Sequence, residues 1–568
     1  MEGLVTMIID DTILEGYEDA ELRRYDDPAC DFPTTCAYED LPETSVSGVL
    51  KANRYVEGKL MQTYAAQENH VGIIAATRQG KTTSGIIPMV LSNARKKVKC
   101  NMILSDPKGE VYQHTAATLA AEGYRILMLN LRDYRHSECW NPLTPIFRKY
   151  KKALSLPDTA EVVVENGALC YRFLGNIYTN KPALDLAIQA EKAAMLDDVW
   201  NDIDLFSTLL ITIEDKRDPM WERGAREIFK GFLCAMLEDS ELPENPITEE
   251  TFSFNTIFTI FASFGAEGER EIYDRGYFSS RERGSRAFGI VKEYLLIDAN
   301  RTRASYTSTF AQKMSEYMNI AIRRITSCNS IEVTELGQSE QPVALFLCYR
   351  DEMKIHFQFI SLFVQDAYKA FIDIAGENPD HKLAAPFYFI LDEFGNFPPL
   401  YSFENIISAC AGRNIWFVLV LQSYAQLYAV YGSDTSQIIL DNLNVKIFFG
   451  SNNWSTISDF SEGCGLHTRL SPESALNGSG EEIDHYVIET IPLVPKSMLC
   501  KLKPGECIVT EANEPVLFSR LERYYLCPEY STLPLADEKD YTCSVDPLDP
   551  KYTYIYSGGA LRRRSLTR

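Results

Sequence analysis

The residues from His70 to Ser84 have types and spacing that suit binding of a phosphate chain. Apolar residues at 71–74 predict a short buried strand, followed by a tight loop and a helix. N–H groups at a helix start bind anions, and Gly80 would let them approach closely. Lys81 would reach the β- and γ-phosphates, while the Thr82 hydroxyl would bind Mg²⁺. The residues predicted to contact the nucleotide are Ala75 (where glycine is usual), Thr77, Arg78, Gln79, Gly80, Lys81, Thr82 and Thr83.

A second stretch far downstream carries two adjacent carboxylates. The apolar run Phe387–Leu391 predicts a buried strand, and Asp392 and Glu393 follow it directly. Asp392 would order the Mg²⁺ shell, and Glu393 would orient and deprotonate an attacking water. Each stretch alone also fits an ordinary strand and turn. Together, in this order, they indicate hydrolysis of a nucleotide, ATP with Mg²⁺.

Two more polar residues flank the predicted strand Ile415–Leu421. Gln422 follows the strand, so it would contact the γ-phosphate or its water and report hydrolysis to the rest of the chain; the alternative is a simple turn residue. Arg413 precedes the strand. It would project into a neighbouring subunit's nucleotide as an arginine finger, or else lie on the surface.

Composition limits the possible functions. A chain of 568 residues with 45% hydrophobic and 24% charged residues predicts a globular protein of two to four domains. The net charge of −23 argues against a surface that coats nucleic acid, but it leaves a narrow basic channel open. Fourteen cysteines without a C-x-x-C pair, and seven unclustered histidines, predict a reducing cytosol and no structural metal site. The apolar runs are too short to span a bilayer.

The order of predicted elements indicates a sheet domain interrupted by a helical block. Strands and helices alternate up to about residue 130, helical periodicity dominates from 151 to 325, and the sheet pattern then resumes. The basic residues between 281 and 303 would form a solvated helix face or a surface that contacts substrate. The predicted divisions are an acidic arm (1–45), a nucleotide-binding domain in two parts (46–150 and 326–525), an all-α insertion (151–325) and an irregular tail (526–568).

Seven ordered matches give the chain a resemblance to a known family. They are the phosphate loop after His70 with Ile87-Pro88, Asp106-Pro107-Lys108-Gly109-Glu110, Asn141-Pro142-Leu143, Asp218-Pro219-Met220-Trp221-Glu222, Leu391-Asp392-Glu393-Phe394-Gly395-Asn396, Leu421-Gln422-Ser423, and Gln426-Leu427. Over residues 69–520 the chain resembles the TraG/TraD-type conjugative coupling proteins, which are the ATPases of type IV secretion systems.

The resemblance implies an α/β fold, a RecA-like P-loop NTPase domain with a central mainly parallel sheet, interrupted by an inserted all-α domain. It also implies a homo-hexamer that delivers single-stranded DNA, bound to a relaxase or relaxosome, or a protein cargo, to the secretion channel. The family roles carry over well to Lys81, Thr82, Asp392, Glu393 and Gln422, and less well to Arg413. Family members usually begin with transmembrane helices, which are not found here. We therefore expect a cytoplasmic protein recruited to the inner face of the membrane by the channel or a separate anchor.

Two other functions fit part of the pattern. One is a soluble DNA translocase of the FtsK/HerA kind, and the other is a cargo-docking receptor that binds nucleotide with little hydrolysis. The helical insertion and the Asp-Glu-Phe-Gly-Asn run favour the coupling protein over the first. Glu393 argues against the second, because a switch that only binds nucleotide needs no general base.

Overall fold

The computed structural model describes residues 21–25, 33–165, 168–213, 217–263, 277–278, 280–282, 284–295, 300–476 and 482–553. The chain forms two compact units. Unit 1 contains Met1–Leu127, Val333–Tyr349 and Ala367–Asp540, and unit 2 contains Met128–Glu332, Arg350–Asp366 and Tyr541–Arg568. Residues 1–20 and 26–32 of the predicted acidic arm, and the tail beyond residue 553, lie outside the described residues.

The described strands, in chain order, are β1 (Leu22–Arg24), β2 (Thr35–Ala37), β3 (Leu50–Val56), β4 (Lys59–Tyr64), β5 (Val71–Ala75), β6 (Asn101–Asp106), β7 (Arg125–Asn130), β8 (Glu161–Glu165), β9 (Ala168–Phe173), β10 (Asn176–Tyr178), β11 (Val343–Cys348), β12 (Phe387–Leu391), β13 (Ile415–Leu421), β14 (Val445–Gly450), β15 (Leu466–Leu476), β16 (Glu482–Pro492), β17 (Glu506–Glu511) and β18 (Val516–Arg520).

The described helices are α1 (Ile87–Arg95), α2 (Glu110–Ala121), α3 (Thr144–Ser155), α4 (Lys181–Leu210), α5 (Met220–Asp239), α6 (Phe254–Ser263), α7 (Arg286–Leu295), α8 (Asn300–Ser315), α9 (Ile320–Ile325), α10 (Val333–Gln338), α11 (Lys354–Glu377), α12 (Phe403–Cys410), α13 (Tyr424–Tyr431), α14 (Ser433–Asn442), α15 (Trp454–Gly463), α16 (Lys496–Leu499) and α17 (Pro528–Ser531). None of the described helices is long and apolar enough to cross a lipid bilayer.

A ten-stranded sheet forms the centre of unit 1. Its strand order is β1-β18-β17-β14-β5-β13-β12-β6-β11-β7, and every pair from β14 to β11 is parallel. Strands β5, β6, β11 and β12 are buried at every residue, as expected for parallel strands covered by helices on both faces. The α/β class with a mainly parallel sheet is therefore confirmed.

The sheet has an edge that the sequence did not predict. Strands β17 and β18 form an antiparallel hairpin, but β18 is not the outermost strand, because β1 pairs with it in parallel. Strand β1 comes from the stretch predicted to be an extended arm, and β2 pairs with β4 in a separate three-stranded sheet. The predicted arm (1–45) therefore contains two short strands.

Unit 2 is mainly helical but contains a small sheet. Residues 161–178 form the antiparallel strands β8, β9 and β10, so the expectation of an all-α insertion is wrong in this stretch. Phe173 of β9 packs with Leu184 and Ile188 of α4. That contact buries one part of the sheet against the long helix, which has 30 residues.

Candidate functional site

Three neighbouring parallel strands end at one edge of the unit 1 sheet. Strand β13 lies between β5, which leads into the phosphate loop, and β12, which leads into the two carboxylates. Parallel neighbours lie about 4.8 Å apart, so the ends of β5 and β12 are about 10 Å apart. The carboxyl edge of such a sheet is where open α/β folds bind their ligands. The sheet order therefore brings the loop, Gln422 and Asp392 together.

The loop after β5 has the backbone geometry of an anion-binding turn. Arg78 (φ 68°) and Gly80 (φ 100°) are both in the left-handed region, where alternation with right-handed residues makes a concave surface of N–H groups. Within the part of the chain that the structure describes, the N–H groups of Thr77, Arg78 and Gly80 donate no hydrogen bond to protein. These three donors are the ones a phosphate would satisfy.

The helix after the loop starts with a wide turn. Residues Lys81–Ile86 form π-type hydrogen bonds, and the N–H groups of Ser84 and Gly85 both donate to the Gly80 carbonyl, at 2.7 and 3.3 Å. Regular α-helix begins only at Ile87, because Pro88 has no N–H to donate to the preceding turn.

Lys81 contacts both carboxylates that follow β12. Its ammonium group lies 3.3 Å from Asp392 Oδ1 and contacts Glu393 Oε1. The Thr82 hydroxyl donates to Asp392 Oδ2 at 3.2 Å. The side chains of Lys81, Asp392 and Glu393 are only 12%, 5% and 11% exposed. Four residues predicted from two stretches more than 300 positions apart therefore share one small, mostly buried site.

Burial and charge shift the pKa values of this site. Burial alone lowers the pKa of Lys81, but the charges of Asp392 and Glu393 outweigh it and raise the pKa above the ordinary lysine value. Burial, helped by the neighbouring Glu393 charge, raises the pKa of Asp392 against the opposing effect of Lys81. The lysine is therefore held in its charged form, which is the form that binds phosphate.

Gln422 links Glu393 to helix α13. Its side-chain amide donates to Glu393 Oε2 at 3.0 Å, and its backbone N–H donates to Gln426 Oε1 at 3.1 Å. Gly395 permits this arrangement, because a Cβ built there would lie only 2.7 Å from Gln426 Oε1 and 2.8 Å from Gln426 Cβ. Gln426 was noted in the sequence only as a motif match, and its position four residues after Gln422 was the available signal. Glu393 itself has φ 56°, a strained conformation for a residue other than glycine.

Two residues that the sequence analysis did not single out hold the backbone of Asp392. The Ser105 hydroxyl donates to the Asp392 carbonyl oxygen at 3.0 Å, and the Tyr349 hydroxyl donates to the same oxygen at 3.4 Å. Ser105 is the penultimate residue of β6, which pairs with β12, so the strand order was the missing information. Asp106 caps α2 by accepting the N–H of Tyr112 at 2.8 Å, which gives the Asp-Pro-Lys-Gly-Glu motif a structural role.

The remaining predicted residues lie in different surroundings. Ala75 is fully buried in β5, so only its backbone can face a ligand. Gln79 packs beside Gly450 at the end of β14. Arg413 lies at the opposite end of β13 from Gln422, about 20 Å away by strand length, and donates to the Ala409 carbonyl at 2.9 Å. It does not join this site within one chain, and its role toward a neighbouring subunit stays a prediction.

The donor set fits Mg²⁺ bound together with a nucleotide. The Thr82 hydroxyl and the Asp392 carboxylate are adjacent oxygen donors, and Mg²⁺ typically binds one or two such groups plus phosphate oxygens and water. In the described ranges, no three His, Cys, Asp or Glu side chains converge to hold a metal ion without such help.

Comparison with known proteins agrees with this geometry. A profile of the family "Type IV secretory system Conjugative DNA transfer" matches residues 37–541, and no curated protein sequence matches the chain. The unbound monoclinic form of the bacterial conjugative coupling protein TrwBΔN70 is similar in structure at 14% identity, covering 86% of this chain and 94% of that one, with a TM-score of 0.54. Its trigonal form in complex with sulfate is similar at 13% identity, covering 87% of this chain and 95% of that one, with a TM-score of 0.50. These two likenesses support the fold, and the family match confirms the resemblance to TraG/TraD-type coupling proteins. The chain belongs to the type IV secretory system conjugative DNA transfer family.

Proposed function

We propose that this chain is the ATP-driven coupling motor of a conjugative type IV secretion system, which moves relaxase-bound single-stranded DNA or a protein cargo to the secretion channel. The observation that carries the proposal is the convergence of Lys81, Thr82, Asp392 and Glu393 at one sheet edge. A binding switch needs the lysine and the magnesium ligands, but a hydrolase also needs the base.

Each residue has a distinct part in hydrolysis. ATP with Mg²⁺ supplies the phosphoanhydride and the charge neutralisation of its oxygens. Lys81 supplies a fixed positive charge that binds the β- and γ-phosphates in place of the two carboxylates it now contacts. Glu393 holds a water and takes its proton, and the Gln422 amide fixes the direction in which the Glu393 carboxylate points. Thr82 and Asp392 hold the metal from the protein side.

The proposed assembly is a homo-hexamer in which Arg413 of one subunit reaches the nucleotide of the next. Its position at the far end of β13 from its own site is compatible with action in trans. Membrane recruitment by the channel or by a separate anchor protein belongs to the same proposal.

An ATPase assay with and without single-stranded DNA tests the motor. Wild type should hydrolyse ATP faster with DNA, and Glu393→Gln should bind ATP with unchanged affinity but lose hydrolysis by about 10³-fold. Lys81→Ala, by contrast, should lose ATP binding itself. If wild type binds ATP without turning it over in the presence of DNA and a membrane partner, the chain is a docking receptor instead.

A further inference from the structure

Two buried hydroxyl groups converge on one backbone carbonyl of the nucleotide site. Ser105 and Tyr349 are 2% and 0% exposed, and both hydroxyls donate to the carbonyl oxygen of Asp392, at 3.0 and 3.4 Å. A carbonyl oxygen has two lone pairs, so both of them are used here. The peptide group that contains this oxygen joins the two adjacent carboxylate residues of the site.

The two hydroxyls come from different strands, so they hold the carbonyl from two separate positions. The sheet order is β12-β6-β11. Ser105 lies in β6, directly beside β12, and Tyr349 follows the last residue of β11. Parallel neighbours are about 4.8 Å apart, so β11 is about 10 Å from β12. A short serine side chain spans the first distance, and the longer tyrosine side chain spans the second.

The same peptide group is also held at its N–H. The Glu393 N–H donates to Asp392 Oδ1 at 2.8 Å, and the Glu393 carbonyl accepts the Asn396 N–H at 2.9 Å. Glu393 has φ 56° and ψ 33°, a left-handed conformation that persists in a residue with a Cβ only where its surroundings enforce it. Turning the peptide plane over would relax φ, but it would break the hydrogen bonds at both ends of the plane.

We propose that Ser105, assisted by Tyr349, is a positioning residue for ATP hydrolysis. The two hydroxyls fix the peptide plane before Glu393 and so keep this residue in the left-handed conformation that directs its carboxylate to the Gln422 amide. The inference rests on the proposed function, in which Glu393 takes the proton of the attacking water. Ser105 makes the shorter hydrogen bond and therefore has the larger effect.

ATP turnover and ATP binding by full-length variants test this role. Ser105→Ala should lower kcat about tenfold, Tyr349→Phe about threefold, and the double variant up to about 100-fold, because a small displacement of the base slows the reaction steeply. The Kd for ATP should change by less than about twofold, since Lys81 and Thr82 keep their places after the phosphate loop. Tyr349→Phe removes a single oxygen atom, so it decides the test if Ser105→Ala does not fold.

Matched controls remove the same kind of hydrogen bond elsewhere in the chain. The buried Ser461 hydroxyl donates to the Val494 carbonyl at 2.6 Å, and the buried Tyr317 hydroxyl donates to the Leu210 carbonyl at 2.9 Å. Ser461→Ala and Tyr317→Phe should leave kcat unchanged. Equal kcat values for each site variant and its control would overturn the inference.

A Glu393→Gln background separates positioning from general damage. Because the base is already absent there, Ser105→Ala and Tyr349→Phe should each lower the residual single-turnover rate by less than about twofold. A loss as large as in the wild-type background, or a loss that appears in Kd instead of kcat, would also overturn the inference. If wild type itself hydrolyses no ATP, the proposed function fails, and this inference falls with it.

Discussion

Adding one methyl group at Gly395 should uncouple Glu393 from helix α13 without removing any functional group. A Cβ at this position would lie 2.7 Å from Gln426 Oε1 and 2.8 Å from Gln426 Cβ. Ordinary contacts begin near 3.4 Å, so one partner must move by about 0.6 Å. The Cβ of Gln426 is fixed to the helix, so rotating the amide cannot relieve both clashes. We expect Gly395→Ala to cost about 1–3 kcal/mol of stability.

The effect on catalysis follows from the same displacement. Gln426 accepts the Gln422 N–H, and the Gln422 side chain orients Glu393. A shift of this size at a catalytic group lowers the rate by up to about 10²-fold. Gly395→Ala should therefore reduce kcat about 10–100-fold while the Kd for ATP changes by less than about twofold. Steady-state hydrolysis and nucleotide titration measure the two quantities.

Two comparisons make this test decisive. Gly376→Ala is the matched control, because a Cβ there meets no atom within 4 Å, and it should leave kcat unchanged. In a Gln422→Ala background, Gly395→Ala should have little further effect, since the route through Gln422 is already lost. Fully additive losses, or a folded Gly395→Ala enzyme with wild-type turnover, would refute the reasoning.

Two further predictions concern stability. Burial lowers the pKa of His70 to about 4. As the pH falls, the unfolded chain therefore binds a proton at this histidine near pH 6.5, before the native state does. The contribution of His70 to the free energy of unfolding is complete above pH 6.5 and falls by about 3 kcal/mol as the pH drops to 4. Urea denaturation across this range should show a flatter pH dependence for His70→Gln, but not for the exposed His467→Gln. Glu511 forms a buried ion pair with Lys51, so Glu511→Ala should cost about 3–5 kcal/mol, and a loss below about 1 kcal/mol would contradict this. Breaking the exposed Lys59–Glu39 pair with Glu39→Ala should leave the denaturation midpoint unchanged.

The core of the sheet could be predicted because buried parallel strands appear in the sequence as short runs of apolar residues. Strands β12 and β13 have the bounds predicted for them. A polar residue, Asp392 after β12 and Gln422 after β13, follows each strand directly and marks the edge where a ligand binds. The position of the candidate catalytic residues could therefore be predicted once the strands were assumed to be parallel.

Features that depend on pairing between distant parts of the chain could not be predicted from the sequence. Strand β1 has only three residues, and its pairing with β18 joins positions almost 500 residues apart. The run Val162-Val163-Val164 has strong strand propensity. The sequence analysis nevertheless placed it in the predicted helical region, because its antiparallel partner β9 was not recognised. The Gln422–Glu393 hydrogen bond likewise depends on the order of β12 and β13 in the sheet, which local sequence does not encode.

Helix α13 is fixed at both ends to the segment that follows Glu393, and this arrangement gives the proposed motor a route from chemistry to movement. Near the start of the helix, Gln426 packs against Gly395. At its end, the Tyr431 hydroxyl accepts the Leu400 N–H at 3.0 Å, and the Tyr431 ring stacks on Phe394. Gln426 and Tyr431 are five positions apart, which is about 7.5 Å along the helix axis. Two attachments that far apart prevent the helix from tilting independently of the segment. A change in the orientation of Glu393 during hydrolysis would therefore move α13 as a rigid element, because both contacts would have to break before the helix could stay in place.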